Sequence, residues 1–134
     1  MNATAHILIV EDEAIVAFNL QQRLTQMGYH VPDVAVSGNE TLQLVSKTRP
    51  DLILMDIHIE GGMDGIDVAA RIHETSPVPV IYLTAYSEDA TLDRARKTRP
   101  YGYLIKPFSE RELHATIQMA LERHLAEEAL AESQ

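Results

Sequence analysis

The sequence predicts a doubly wound α/β domain, in which a parallel sheet is covered by helices on both faces. Four short runs carry the prediction, Ile7-Leu8-Ile9-Val10, Leu52-Ile53-Leu54-Met55, Val80-Ile81-Tyr82-Leu83 and Tyr103-Leu104-Ile105, because none alternates apolar with polar residues. Continuous apolar runs of this length suit strands buried on both sides. Segments of helical periodicity lie between them, and strand-helix alternation with right-handed crossovers builds a single parallel sheet. At 134 residues the chain has the length of one domain with one core.

Each element has a local reason. After the first run, Val16, Leu20, Leu24 and Met27 recur at three to four residues, and Gly28 stops that helix. His30 to Val36 is a weaker strand candidate. Ser37-Gly38-Asn39-Glu40 fits the S-x-x-E capping box, so a helix begins just after Ser37. The run from Leu52 is followed by the glycine-rich turn Gly61-Gly62-Met63-Asp64-Gly65 and a helix marked by Val68, Ala69 and Ile72. Ser87 to Thr98 has helical propensity but offers only Ala90, Leu92 and Ala95 as an apolar face, so this helix is expected to be loosely held. A second capping box, Ser109-Glu110-Arg111-Glu112, opens the last helix. Beyond Arg123 an Ala/Glu/Leu tract prolongs that helix past what the sheet needs.

Composition excludes several functions. Eleven Lys and Arg against twenty Asp and Glu leave a formal charge of −9, the wrong sign for a surface that neutralises phosphates, so no direct nucleic-acid binding is expected. The absence of Cys excludes disulfides, thiolate zinc sites and Cys nucleophiles. The first residues lack the basic stretch and apolar run of a signal peptide, and no apolar run approaches the ~18 residues of a membrane span. A soluble, cytoplasmic domain is expected.

The ends of parallel strands converge on one edge of the sheet. Residues following the runs therefore meet there: Glu11 and Asp12 after the first, Asp56 after the second, Thr84 after the third and Lys106 after the last. Any single carboxylate past a strand is usually a loop residue or a helix cap. Crowded carboxylates, however, repel and call for a counter-cation, and few oxygen ligands with positions left for water suit Mg²⁺. A hydroxyl and an ammonium beside them match the needs of a phosphoryl group's oxygens. Asp56 is the natural nucleophile for an aspartyl phosphate.

These residues carry a family resemblance. Ile7-Leu8-Ile9-Val10-Glu11-Asp12-Glu13, Leu54-Met55-Asp56, Met63-Asp64-Gly65, Leu83-Thr84-Ala85 and Lys106-Pro107-Phe108, in that order, resemble the receiver domain of bacterial two-component response regulators. The likeness runs over residues 5–123 and leaves 124–134 as a helical extension, read either as a frayed end or as a linker to a further module. It implies a flavodoxin-like sheet of order 2-1-3-4-5 with five helices. It implies further that Asp56 is the phosphoacceptor, that Glu11, Asp12, Asp56 and the main-chain carbonyl of His58 hold Mg²⁺, and that Thr84 is the switch hydroxyl with Lys106 as ion-pair partner. Tyr103 matches an aromatic that turns inward with Thr84, Lys106-Pro107 the family's cis peptide, and small Ala85 leaves room for the phosphoryl group.

The implied function is a signalling switch and not a turnover enzyme. A histidine kinase or phosphotransfer protein donates the phosphoryl group, and an output domain or protein, or a homodimer, uses the surface of the fourth helix, last strand and last helix. The chain is read either as a stand-alone receiver or as part of a larger regulator or sensor kinase. Departures from the family pattern are Glu11 in place of the commoner Asp, a loop one residue longer after Asp56, and Glu60 where proline is frequent. His58 and Tyr86 occupy the two variable positions that tune phosphoryl lifetime. Two rivals stand beside this reading. A haloacid-dehalogenase-like phosphatase needs a second Asp two residues after its nucleophile, where His58 stands here, and a non-phosphorylated pseudo-receiver would not need the charged positions that are all present. His73-Glu74 has the wrong following residues for a kinase phosphoacceptor box and is expected to be an exposed helix end. The basic run Arg94, Arg96, Lys97 and Arg99 is either a solvated helix face or a partner contact.

Overall fold

Ten elements alternate strictly: β1 (Ile7–Val10), α1 (Ala14–Gln26), β2 (Val34–Ala35), α2 (Gly38–Thr48), β3 (Leu52–Asp56), α3 (Gly65–His73), β4 (Val80–Thr84), α4 (Asp89–Arg96), β5 (Gly102–Ile105) and α5 (Glu110–Glu132). The computed structural model describes residues 4–85 and 89–132. All five strands are parallel, in the order β2-β1-β3-β4-β5.

Alternate residues of each apolar strand feed opposite faces. Leu8, Val10, Ile53, Met55, Val80 and Tyr82 pack with Val45 of α2 and with Ile66, Val68 and Ile72 of α3. Ile7, Ile9, Leu52, Leu54, Ile81 and Leu83 pack with Leu20 and Leu24 of α1 and Leu113 and Ile117 of α5. Burial on both sides is why the runs show no alternation. Helix starts follow the capping signals. Ser37 Oγ accepts the Glu40 N–H, and Ser109 and Glu112 cap one another reciprocally. Asp64 and Asp67 form a further capping box at the start of α3.

The structure differs from the sequence expectations in four places. The second strand is only two residues long, and His30 joins His6 through an isolated bridge. Pro32 interrupts the segment because it has no N–H to give to a ladder. Val16 is 37% exposed, and Ala17 takes the inward position with Leu20 and Leu24. His73 is half-buried with a ring nitrogen 3.2 Å from the Val78 carbonyl, so it closes the α3–β4 turn and is not an exposed helix end. Of the three apolar residues expected to seat α4, Ala95 alone is buried, while Leu92 is half-buried and Ala90 exposed. The expected loose packing of α4 is therefore observed among the described residues, whereas Tyr86 and Ser87 lie outside them.

The last helix runs on past Arg123 without interruption to Glu132. Its overhang is fastened to the residue before β5. Tyr101 places its hydroxyl on the Glu127 carboxylate and 3.3 Å from His124 Nδ1, and the Arg123 guanidinium lies 4.4 Å over the Tyr101 ring. No helix among the described residues is long and apolar enough to cross a membrane.

Candidate functional site at the carboxyl edge of the sheet

Register brings the candidate residues together. Asp56 ends β3 opposite Leu83 of β4, with Thr84 one residue further on, and Thr84 pairs with Ile105, which precedes Lys106. Val10 pairs with Met55, so Glu11 emerges beside Asp56. Backbone bonds extend the ladder into the site: Glu11 N–H donates to Ala35 O, Ile57 N–H to Leu83 O, and Lys106 N–H to Thr84 O at 2.8 Å. The Lys106-Pro107 peptide is cis.

Burial at this edge is unusual for its chemistry. Glu11, Asp56 and Thr84 are buried to 1%, 6% and 1% exposure, and charged side chains are seldom so deep without a partner. Lys106 is that partner, with Nζ 3.0 Å from Asp56 Oδ2 and 3.4 Å from Glu11 Oε1. One ammonium faces two buried carboxylates, so charge is not balanced. Burial first, then a hydrogen bond shared with Asp56, push the Glu11 carboxyl up to about 7, although the Glu13 N–H and Lys106 pull the other way. Burial lowers the Lys106 ammonium, but Asp56 and Glu11 outweigh it and raise the pKa.

Asp12 completes the cluster. Carboxylate oxygens of Glu11, Asp12 and Asp56 lie within 4.8 Å of one another, and this is the single group of its kind among the described residues. Oxygen donors alone, an unbalanced negative charge and one half-buried ligand open to water fit a hard divalent cation. The loop of residues 57–64 folds over this edge: His58 N–H donates to Asp56 Oδ1 at 3.0 Å and Glu60 N–H to Asp12 Oδ2 at 3.0 Å. Within the loop Gly61 has a φ of +114°, which suits glycine, with open space around it. The His58 side chain is exposed.

Tyr103 is half-buried against the core face that carries Tyr82, their ring centroids 6.1 Å apart. The Tyr82 hydroxyl in turn bonds the Thr98 hydroxyl at 2.5 Å, just past the end of α4.

Two contributors were not legible as site residues. Gly65 approaches the phosphoacceptor candidate so closely that a Cβ there would overlap the Asp56 carbonyl oxygen and stand 2.9 Å from Ile57 Cα. Its position at a helix start after an Asp cap was the available signal. Arg94, part of the basic run, forks onto Asp64 at 2.9 Å and Asp67 at 3.2 Å, so it is not simply solvated. A groove of about 740 Å³ lies at the opposite edge of the sheet, between α5 and the turns holding Tyr29, Pro50 and Pro77, and includes none of the candidate residues.

Fold and site together define a doubly wound parallel domain with a cluster of three carboxylates and a half-buried lysine at the carboxyl edge of its sheet. Comparison with known proteins makes the class specific. The profile of the response regulator receiver domain matches residues 7–118, and the chain belongs to that family. It is 37% identical over 117 residues to the transcriptional regulatory protein PdtaR of Mycobacterium tuberculosis, covering 87% of this chain and 57% of PdtaR. It is 40% identical over 120 residues to the uncharacterized transcriptional regulatory protein YrkP of Bacillus subtilis, covering 88% of this chain and 50% of YrkP. The chain thus spans about half the length of these curated relatives. Among solved structures, it resembles the signal receiver domain of a modulated diguanylate cyclase from Desulfovibrio desulfuricans G20, with a TM-score of 0.88 and 35% identity over 93% of this chain and 99% of that one. The N-terminal domain of a response regulator/sensory box/GGDEF 3-domain protein from Carboxydothermus hydrogenoformans is similar, with a TM-score of 0.84 and 39% identity over 91% of this chain and 98% of that one.

Proposed function

We propose that the chain is a phosphorylation switch in which Asp56 accepts a phosphoryl group from a phosphohistidine of a kinase or phosphotransfer protein. A carboxylate oxygen of Asp56 forms the new P–O bond as the P–N bond breaks, with the electron pair returning to the donor's imidazole. Glu11, Asp12, Asp56 and the His58 carbonyl would hold Mg²⁺, which supplies charge neutralisation for the transferring group. Lys106 contributes the fixed positive charge, and its contact with both carboxylates holds it at the reacting edge. Thr84 supplies a hydroxyl to the transferred group, and Tyr103 and the thinly seated α4 respond to its movement. The result is a shift between two states that biases the α4–β5–α5 surface toward an output domain, an output protein or a second copy. The chemistry is stoichiometric phosphotransfer and self-dephosphorylation and not turnover of a small substrate. Its proposed setting is the cytoplasm, and residues 124–134 are proposed as a helical extension of a receiver spanning 5–123.

The observation that carries this reading is the pair of buried Asp56 and half-buried Lys106 beside two further carboxylates, because this combination serves a cation and a phosphoryl group at once. Incubation with a small acyl phosphate and Mg²⁺ is expected to label the wild-type chain with an acid-stable, base-labile phosphoryl group. Asp56→Ala should abolish the label; incorporation left undiminished in that variant would refute Asp56 as the acceptor.

A further inference from the structure

The loop that covers the acidic edge is tied down at three points. His58 N–H binds Asp56 at its start, Glu60 N–H binds Asp12 in its middle, and at its end Gly65 N–H donates to Ile57 O at 2.7 Å while Asp64 caps α3. Between the second and third ties stand Gly61 and Gly62, with nothing within 4 Å of where a Cβ would be. The arch is thus unsupported at Gly61 and Gly62, while Ile59 is buried in the core and Met63 packs against it, and Asp64 is held by Arg94 of another element as well as by its own helix cap. Arg94 Nη1 reaches Asp64 Oδ2 at 2.9 Å, and Nη2 reaches Asp64 Oδ1 at 3.4 Å and Asp67 Oδ1 at 3.2 Å.

The same contacts matter to α4. Among the described residues this helix buries only Ala95, so the guanidinium fork and the Tyr82–Thr98 hydroxyl pair are its main polar moorings to the body. Burial raises the Asp64 carboxyl, yet the Arg94 and Asp67 N–H bonds overcome it and hold the pKa below the usual carboxylate value. The clamp is thus charged on both sides at neutral pH.

We propose that Arg94 is a positioning residue for the phosphoacceptor loop, tying the placement of α4 to the cation affinity of the Glu11–Asp12–Asp56 edge through Asp64. This inference rests on the cation site proposed above and adds to it a route that bypasses Thr84 and Tyr103. Fixing the end of a glycine-rich arch removes conformational freedom that cation binding would otherwise have to remove, so the clamp favours the bound form. Linkage then requires the reciprocal effect, in which a bound cation steadies α4 by the same factor. Arg94 is about half exposed, which limits the coupling to that of a surface pair, about two- to fivefold in affinity.

The test is Mg²⁺ titration of the 134-residue chain by calorimetry at low ionic strength, with amide exchange of α4 measured alongside. Arg94→Gln keeps helix propensity and Asp64→Asn keeps a competent cap. Each is expected to weaken Mg²⁺ binding about two- to fivefold, and the double variant no further than either alone. Mg²⁺ should slow exchange in α4 of the wild type and leave it unchanged in Arg94→Gln. Arg96→Gln, whose partner Asp93 lies on the same helix, should retain wild-type affinity. Equal Mg²⁺ affinity in wild type and Arg94→Gln, additive single effects, or an equal loss in Arg96→Gln would overturn the clamp while leaving the switch reading intact. Absence of saturable binding by the wild type would instead overturn the cation site itself.

Discussion

Glu11 makes the stability of the chain depend on pH in a direction opposite to that of most carboxylates. Its carboxyl sits at about 7 in the folded chain against an ordinary value of 4.5, because burial and then Asp56 disfavour its charge. Between these two values the folded chain holds a proton that the unfolded chain has lost, so the unfolding free energy falls as pH rises. At full strength the difference corresponds to roughly 3 kcal/mol. Lys106, itself about one-third exposed, admits solvent to the pair, which reduces the expected loss to about 1–2 kcal/mol. Urea unfolding followed by circular dichroism, from pH 4.5 to 7.5 without divalent cations, reads this directly. Because other groups contribute to the slope as well, Glu11→Gln provides the reference. The wild type should lose stability relative to Glu11→Gln as pH rises, and Glu11→Gln should be the more stable by about 1–2 kcal/mol at pH 7.5. Saturating Mg²⁺ favours the ionised cluster and should remove the difference. Parallel pH profiles for the two proteins without cation would show that Glu11 titrates normally and that the carboxylates are not forced together.

Two further substitutions test the surroundings of the site. Gly65→Ala places a Cβ against the Asp56 carbonyl oxygen and 3.0 Å from Met55 Cγ; it should cost about 1–3 kcal/mol in urea unfolding and slow acyl-phosphate labelling, and a wild-type midpoint would contradict the close approach. Tyr101→Phe removes the hydroxyl held by Glu127 and His124 but keeps the ring under Arg123; faster amide exchange confined to residues 121–132 is expected, whereas unchanged exchange there would show that the overhang of α5 is held by the ring contact alone.

The parts of the fold that sequence made legible are those governed by local chemistry. Four apolar runs became β1, β3, β4 and β5 because a strand between two helical layers must be apolar throughout. Ser37 and Ser109 marked helix starts because an orphan N–H within three residues needs an acceptor. The short second strand was legible only in outline. At the sheet's edge β2 pairs with β1 alone, at Ile9–Val34 and Val10–Ala35, and Pro32 prevents more. Val16 and Ala17 were exchanged for a related reason: a helix with Ile15, Val16 and Phe18 all near its start is apolar around most of its circumference there, so periodicity does not choose the inward side.

The site divides along the same line. Glu11, Asp12, Asp56, Thr84 and Lys106 could be grouped from sequence because each follows a strand, and parallel strands have no choice about which edge their ends share. Arg94 had no such constraint. Its helix has three other cations nearby in sequence, Arg96, Lys97 and Arg99, and which of them reaches Asp64 depends on the rotation of α4 about its axis. Among the described residues of α4 only Ala95 is buried, one small side chain where the other helices each bury three or more. The weakness that hid the contact from sequence is also what gives the contact leverage. In a helix with a deep apolar face, one exposed ion pair would be a minor addition to the packing energy, whereas in α4 it stands beside one buried alanine and one half-buried leucine. In an acidic chain with a small basic run on this thinly seated helix, charge therefore acts beside burial in setting where the helix lies relative to the edge where phosphoryl chemistry is proposed.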